Sequence, residues 1–393
     1  MRQKDLIRRS SVALLLVLAS LFACDSPTGS DHAYPIPQQT GDGLETASLE
    51  DVGLGPVPLL ELLDLITATP DHAIHSLLIF KDRKLVLEEY WEGVDLAPET
   101  LAPVERNFDR ETLHYVASVS KSITSLLAGV SIDRGMVGGV SDSLFQFFPE
   151  YSDLRTEENG GITLEHLLSF TSGLEWNEFV YGFGDPRDSH YQMFNTQDPV
   201  GFLLRRPQTS TPGARFHYNS GDTNLLGEVV RRASHAQTLI DFAEDYLFTL
   251  LGIETYEWLR FGYAPEVAFA SGGVSLRPRD MGKLGLLMLA GGVWEGARVV
   301  SQEWVDRSTG PAISFSTTHP TLYAYGYNWW LGRFPLGDQR VDYALAMGWG
   351  GQLVYVIPQV EMVIVLTGGQ YYEESPLDAD DLIEAFILAA IDR

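Results

Sequence analysis

The chain has 393 residues, 45% of them hydrophobic, and a formal net charge of −26. That length and apolar content supply a sizeable core and exclude global disorder, while admitting either two or three domains or one large one. The acidity argues against nucleic acid or an anionic lipid headgroup as a partner, and a single cysteine, Cys24, excludes a disulfide framework.

In chain order, Arg2, Lys4, Arg8 and Arg9 precede an apolar run, Val12 to Phe22, that is too short to span a bilayer comfortably. It ends at Leu21-Phe22-Ala23-Cys24, which resembles a bacterial lipoprotein signal; an ordinary secretory signal is the alternative. The resemblance implies a signal peptide over 1–23, lipidation of Cys24, and an exported protein held to a membrane of the cell envelope by that anchor. Residues 24–55, rich in Ser, Pro, Gly, Asp and Thr, read as a flexible tether, so the folded domain is expected over 56–393.

A helix is predicted over 58–69. A hairpin follows over 75–91: Ser76 to Phe80, a turn at Lys81-Asp82-Arg83, then Lys84 to Tyr90. Helical spacing recurs over 118–135, 140–148, 222–233, 237–251 and 278–290, and Thr163 reads as the N-cap of a short helix. Residues 172–216 are loop-rich. Tyr325 to Leu331, Leu353 to Ile357 and Met362 to Leu366 read as strands, and 382–391 as a closing helix. Early strands, late strands and helices between them predict an α+β fold: one antiparallel sheet drawing on both chain ends, with a mostly helical insertion.

The chemistry centres on Ala117-Ser118-Val119-Ser120-Lys121. A serine and a lysine three apart share one helix face. A serine hydroxyl is a weak nucleophile until a base takes its proton, and a lysine is that base once burial lowers its pKa. The pair alone is common by chance. Its context, an extended apolar approach from Leu113 and a buried helix after it, places Ser118 at the positive end of a helix dipole.

Three further segments follow: Leu168-Ser169-Phe170-Thr171-Ser172-Gly173-Leu174, Tyr218-Asn219-Ser220-Gly221-Asp222 and Gly348-Trp349-Gly350-Gly351-Gln352. In this order, from about residue 60 onward, they resemble the serine β-lactamase and penicillin-binding-protein superfamily. The likeness is strongest to class C-like esterases, D-aminopeptidases and 6-aminohexanoate-dimer hydrolases. The resemblance implies a β-lactamase-like fold, Ser118 as the nucleophile that forms an acyl-enzyme, Lys121 as its base and Tyr218 as the proton shuttle to the leaving group. It also implies Ser220 in the substrate site and an oxyanion hole from the backbone N–H groups of Ser118 and Gln352. At the third motif Trp349-Gly350-Gly351 replaces Lys-Thr-Gly, so the cation that binds a β-lactam carboxylate is missing, and a carboxylate would meet an indole N–H there.

Other readings are set against these. Ser220 is equally placed to cap the helix near Asp222. Trp349 suits core packing as well as a site. Trp176 and Tyr181 are candidate pocket walls, whereas the cluster of Tyr323, Tyr325, Tyr327, Trp329 and Trp330 reads as strand packing. His166 is expected to bond within its own loop, and nothing draws His114 or His217 into catalysis. No Gly-x-Ser-x-Gly elbow, His-Glu-x-x-His or phosphate-binding Gly-x-x-x-x-Gly-Lys occurs. The expected activity is hydrolysis of a small-molecule ester or linear amide, with no metal, cofactor or obligate protein partner. The alternatives are β-lactamase or D-Ala peptidase activity, or a silent ligand-binding lipoprotein.

Overall fold

The computed structural model describes residues 33–96, 102–178, 180–181, 184–371 and 375–391. Nine strands form one sheet. Three come early: β1 (Glu45–Thr46), β2 (Ile74–Lys81) and β3 (Lys84–Tyr90). Six come late: β4 (Ile313–Ser314), β5 (Leu322–Tyr325), β6 (Trp330–Leu336), β7 (Gln339–Gly348), β8 (Gln352–Ile357) and β9 (Met362–Gly368). Their order is β1-β3-β2-β9-β8-β7-β6-β5-β4, so the antiparallel pairing of β2 with β9 joins early chain to late chain. Every pairing is antiparallel except that of β1 with β3.

The central strands are buried on both faces, which explains their near-continuous apolar runs. Their side chains alternate between two cores with the period of two that a pleat demands. Leu78, Phe80, Val354, Val356, Val363 and Val365 face one core; Leu77, Ile79, Tyr355, Ile357, Ile364 and Leu366 face the other. The second core is closed by α1 (Pro56–Ala68) and the helical segment 379–390. The first takes the helical region between β3 and β4: α2 (Val119–Asp133), α3 (Leu164–Leu168), α4 (Ser189–Phe194), α5 (Pro199–Leu204), α6 (Ser220–Ser234), α7 (Leu239–Ala243) and α8 (Pro278–Leu289). Helix α2 is buried from Val119 to Ser131 despite its serines and threonines. Most of their hydroxyls are matched: Ser122 donates to the Asn328 carbonyl and Thr124 to the Ala270 carbonyl, both within 2.8 Å, and Ser120 accepts from Val274 N–H, whereas Ser125 Oγ has no partner.

The α+β class and the sheet drawn from early and late chain are as expected, with four corrections. Residues 33–55 do not stand off as a tether. Tyr34, Leu44, Leu49, Val52 and Leu54 are buried, β1 adds to the sheet, and Arg279 of α8 bonds Gln38, Thr40 and Asp42. Sparse apolar residues among glycines and prolines still bury when a sheet edge lies beside them. The strand expected from Tyr325 to Leu331 is broken: Asn328 turns the chain at a φ of +60° between β5 and β6. The ten-residue β7 went unread, although Gly337-Asp338 before it is a two-residue hairpin turn with Gly337 at a φ of +63°. Within 140–148 only a 3₁₀ turn, Leu144–Phe147, forms. The signal peptide over 1–23 and the anchor at Cys24 lie outside the described residues.

Candidate active site

A short strand, His114–Tyr115, leads to Ser118 and pairs with Val274–Leu276, which pairs in turn with Tyr256–Trp258. Val116 N–H then donates to the Val274 carbonyl at 2.9 Å. The next residue, Ala117, takes a left-handed φ of +46°, unfavourable for a residue with a Cβ and held by the packing around it. This bend delivers Ser118 to the N-cap of α2. The Ser118 hydroxyl bonds no backbone N–H of that first turn; its Oγ accepts from Lys121 Nζ at 2.8 Å.

Lys121 is 2% exposed. It also donates to the Ser271 carbonyl at 2.7 Å, and Ser271 is gripped by Asn224 of α6. Asn224 Nδ2 donates to Ser271 Oγ at 3.0 Å, and Ser271 N–H donates to Asn224 Oδ1 at 3.2 Å. Burial pulls the Lys121 amine down to about 8, against the opposing field of the Glu178 carboxylate. A lysine near 8 is partly neutral at physiological pH and so able to accept a proton.

Tyr218 completes the cluster. Its phenol is hydrogen-bonded to Ser118, and its ring centroid lies 5.0 Å from Lys121 Nζ. Burial and then Glu178 push its pKa up, with the Ser118 bond opposing, so it is a neutral phenol. Phe170 meets its ring edge-on at 4.9 Å, and Trp330 stacks on it at 5.8 Å. Phe170 sits at a φ of +54°, and its carbonyl accepts from His217 N–H at 2.8 Å. The Leu168–Leu174 motif thus aims the tyrosine. Trp330, expected only as strand packing, forms the tyrosine's other wall.

Ser220 does not cap α6; Asn219 does, accepting from Asp222 N–H at 3.3 Å. Ser220 gives both its hydrogens to Glu178, the N–H to Oε2 and the Oγ–H to Oε1, each at 3.0 Å. Trp176, expected as an open pocket wall, is buried, and its indole N–H also donates to Glu178 Oε2. Tyr181, the other candidate pocket wall, has the Arg187 guanidinium over its ring at 4.3 Å. His166 accepts from Thr163 N–H within its loop, His217 Nε2 contacts the Trp176 carbonyl, and His114 is buried against Thr367.

The third motif is a tight turn between β7 and β8, with Gly350 and Gly351 at φ of +89° and +87°. It abuts the nucleophile segment: a Cβ on Gly348 would lie 2.2 Å from the Val116 carbonyl oxygen. The Gln352 side chain turns away, donating to the Gly368 carbonyl at 2.7 Å. The Trp349 indole N–H donates to the Tyr371 carbonyl at 3.0 Å, so the indole donor expected to meet a substrate carboxylate is already engaged.

Sequence reasoning missed Glu178, Asn224 and Ser271. Glu178 stands 42 residues before the serine it binds, in a loop-rich stretch with no periodicity to mark it. Asn224, one helical turn past Ser220, shared a face with the second motif and was readable from spacing. No group of three His, Cys, Asp or Glu is placed to hold a metal ion among the described residues.

A family model described as Beta-lactamase matches residues 65–386. The chain is 26% identical over 357 residues to the 6-aminohexanoate-dimer hydrolase of Paenarthrobacter ureafaciens, covering 83% of this chain and 82% of that one. Among solved structures it is similar to a family VIII carboxylesterase (TM-score 0.64, 16% identity, 84% of this chain and 96% of the other). It is also similar to the octameric penicillin-binding protein homologue from Pyrococcus abyssi (TM-score 0.60, 17% identity, 85% and 76%). The chain belongs to the Beta-lactamase family, whose fold it has and among whose hydrolases it stands.

Proposed function

We propose that the protein hydrolyses esters or small linear amides through an acyl-enzyme on Ser118. The observation that carries this reading is the buried Lys121 amine 2.8 Å from Ser118 Oγ, with Tyr218 bonded to the same hydroxyl. Lys121 takes the Ser118 proton as Oγ attacks the carbonyl carbon. The oxyanion is met by the backbone N–H groups of Ser118, at the start of α2, and Gln352, at the start of β8. Tyr218 protonates the departing alcohol or amine and is reprotonated by the Lys121 ammonium. Water then attacks the acyl group by the reverse route and frees Ser118.

An ester or linear amide is favoured over a β-lactam because the third motif offers no cation and Trp349 has given its N–H to Tyr371. The 6-aminohexanoate-dimer hydrolase and the carboxylesterase to which the chain is similar support the same choice by their names. The test is intact mass of the purified protein with a short p-nitrophenyl ester and, separately, a penicillin, alongside released nitrophenol. We expect a transient acyl adduct and turnover with the ester. Ser118→Ala and Lys121→Ala should each lose about 10³-fold or more, with Tyr218→Phe strongly impaired. Turnover surviving in Ser118→Ala overturns the mechanism; a stable adduct with penicillin alone turns the reading to a penicillin-binding protein.

A further inference from the structure

Glu178 is a carboxylate that the reaction as written does not use, and it is built into the site. Three donors fix it: Ser220 N–H, Ser220 Oγ–H and the Trp176 indole N–H. Two of these belong to the residue two places after Tyr218, so the acid is tied to the proton-shuttle motif itself. Among the described residues Glu178 has no ion-pair partner within 4 Å, and neither has Lys121, whose bonds go to Ser118 and the Ser271 carbonyl.

A neutral amine that becomes an ammonium in a dry site requires a counter-charge. Ser118 of its own helix and Tyr218 are neutral hydroxyls before reaction. The strand side presents the Ser271 carbonyl, with Asn224 behind it. His190 of α4 is kept neutral by burial, helped by the Lys121 charge and opposed by Glu178. Glu178 is the anion acting on Lys121, and it acts on Tyr218 as well.

We propose that Glu178 is a positioning residue of the acyl transfer: clasped by Ser220 and Trp176, it stabilises the ammonium that forms on Lys121 and keeps Tyr218 a neutral proton donor. The inference rests on the function proposed above. In the acylation step the Ser118 O–H bond breaks, its proton forms the third N–H bond of the Lys121 ammonium, and Oγ bonds the carbonyl carbon. The leaving group departs with the Tyr218 proton, which Lys121 replaces. In the reacting form, where Lys121 starts neutral, positive charge stands on it between those transfers, and there a fixed carboxylate lowers the barrier. The same field disfavours a tyrosinate, which makes Lys121 the base and Tyr218 the acid. Ser220 accordingly serves as the carboxylate's anchor.

The experiment is the pH dependence of kcat/KM on a neutral p-nitrophenyl ester, for wild type, Glu178→Gln, Ser220→Ala and Ser118→Ala. In wild type the acid limb reports deprotonation of Lys121. Glu178→Gln, with its oxygen in the Oε2 place, still accepts from Ser220 N–H and the Trp176 indole, and its NH2 donates to Ser220 Oγ, but the charge is lost. We expect its acid limb to move to lower pH by about half a unit or more, with a plateau lowered about tenfold or more. Ser220→Ala keeps the charge, so its limb should stay where it is even if its plateau falls. A folded Glu178→Gln with the wild-type limb overturns the inference, as does a Ser220→Ala limb that moves equally. If Ser118→Ala retains turnover, the mechanism fails instead; if it is dead and the limbs coincide, only the role of Glu178 fails.

Discussion

At the residue scale the site is a set of buried polar groups made tolerable by matched donors, and Asp222 tests that account. It ends the second motif, is fully buried, and accepts from Ser172 Oγ at 2.8 Å through Oδ1, while Oδ2 has no partner. Burial raises its pKa well above the usual carboxylate range, which disfavours its charged form. Glu178 is held by three donors, whereas Asp222 has one and serves as a spacer. Asp222→Asn, of the same shape and uncharged, should therefore change stability by less than about 1 kcal/mol and leave kcat/KM within about threefold. Urea unfolding and ester kinetics check both. A large loss of turnover would show that the carboxyl itself, as acid or as anion, takes part in catalysis.

At the element scale the sheet is completed by a segment whose sequence reads as linker. Arg279, the second residue of α8, explains why residues 38–46 stay down. Its guanidinium pairs with Glu88 of β3 at 2.6 Å, each side chain 4% exposed, and reaches Asp42, Thr40 and the Gln38 carbonyl. Truncating one partner of such a pair strands the other charge away from water, a loss of about 3–5 kcal/mol. Arg279→Ala should lower the melting temperature accordingly and open the chain near Gln39 to protease before the body unfolds. Cleavage no faster than in wild type would show that burial of Tyr34 and Leu44 alone holds the segment. The contrast with what was legible is physical. Helices α1, α2 and α8 were readable because their apolar residues recur at helical spacing, and the β2–β3 hairpin because two apolar runs flank a turn. Ser118, Lys121 and Tyr218 were readable because their motifs are local. The packing of 33–55, the break at Asn328 and the clasp of Ser220 by Glu178 all depend on partners far along the chain, for which no local periodicity exists.

At the scale of the whole molecule, the join between early and late chain carries a sensitivity to acid. His75 of β2 and His114, four residues before Ser118, are both buried where β2 meets β9. Phe108 stacks on both, at 3.9 and 4.7 Å, and Thr367 of β9 bonds His114 Nε2 at 3.1 Å and Ser76 at 2.6 Å. Gly93 and Gly369 close over His75 so tightly that a Cβ on either would come within 2.9 Å of the ring. Burial lowers both histidines from 6.5 to about 3. The sign follows from proton binding. Between those values the unfolded chain takes up protons that the folded chain refuses, so stability falls as pH falls through that window. Each histidine contributes a slope of up to about 1.4 kcal/mol per pH unit. Asp188, raised by burial to about 6, works in the opposite sense as it titrates, so wild type alone does not isolate the effect. The comparison does: His75→Gln removes one titrating ring, and its urea midpoint should fall less steeply than wild type's between pH 6 and 4. Turnover falls earlier, as Lys121 takes up its proton, so it does not report this unfolding; the urea midpoints do. Parallel midpoint curves for the two proteins would place the acid sensitivity in the carboxylates instead.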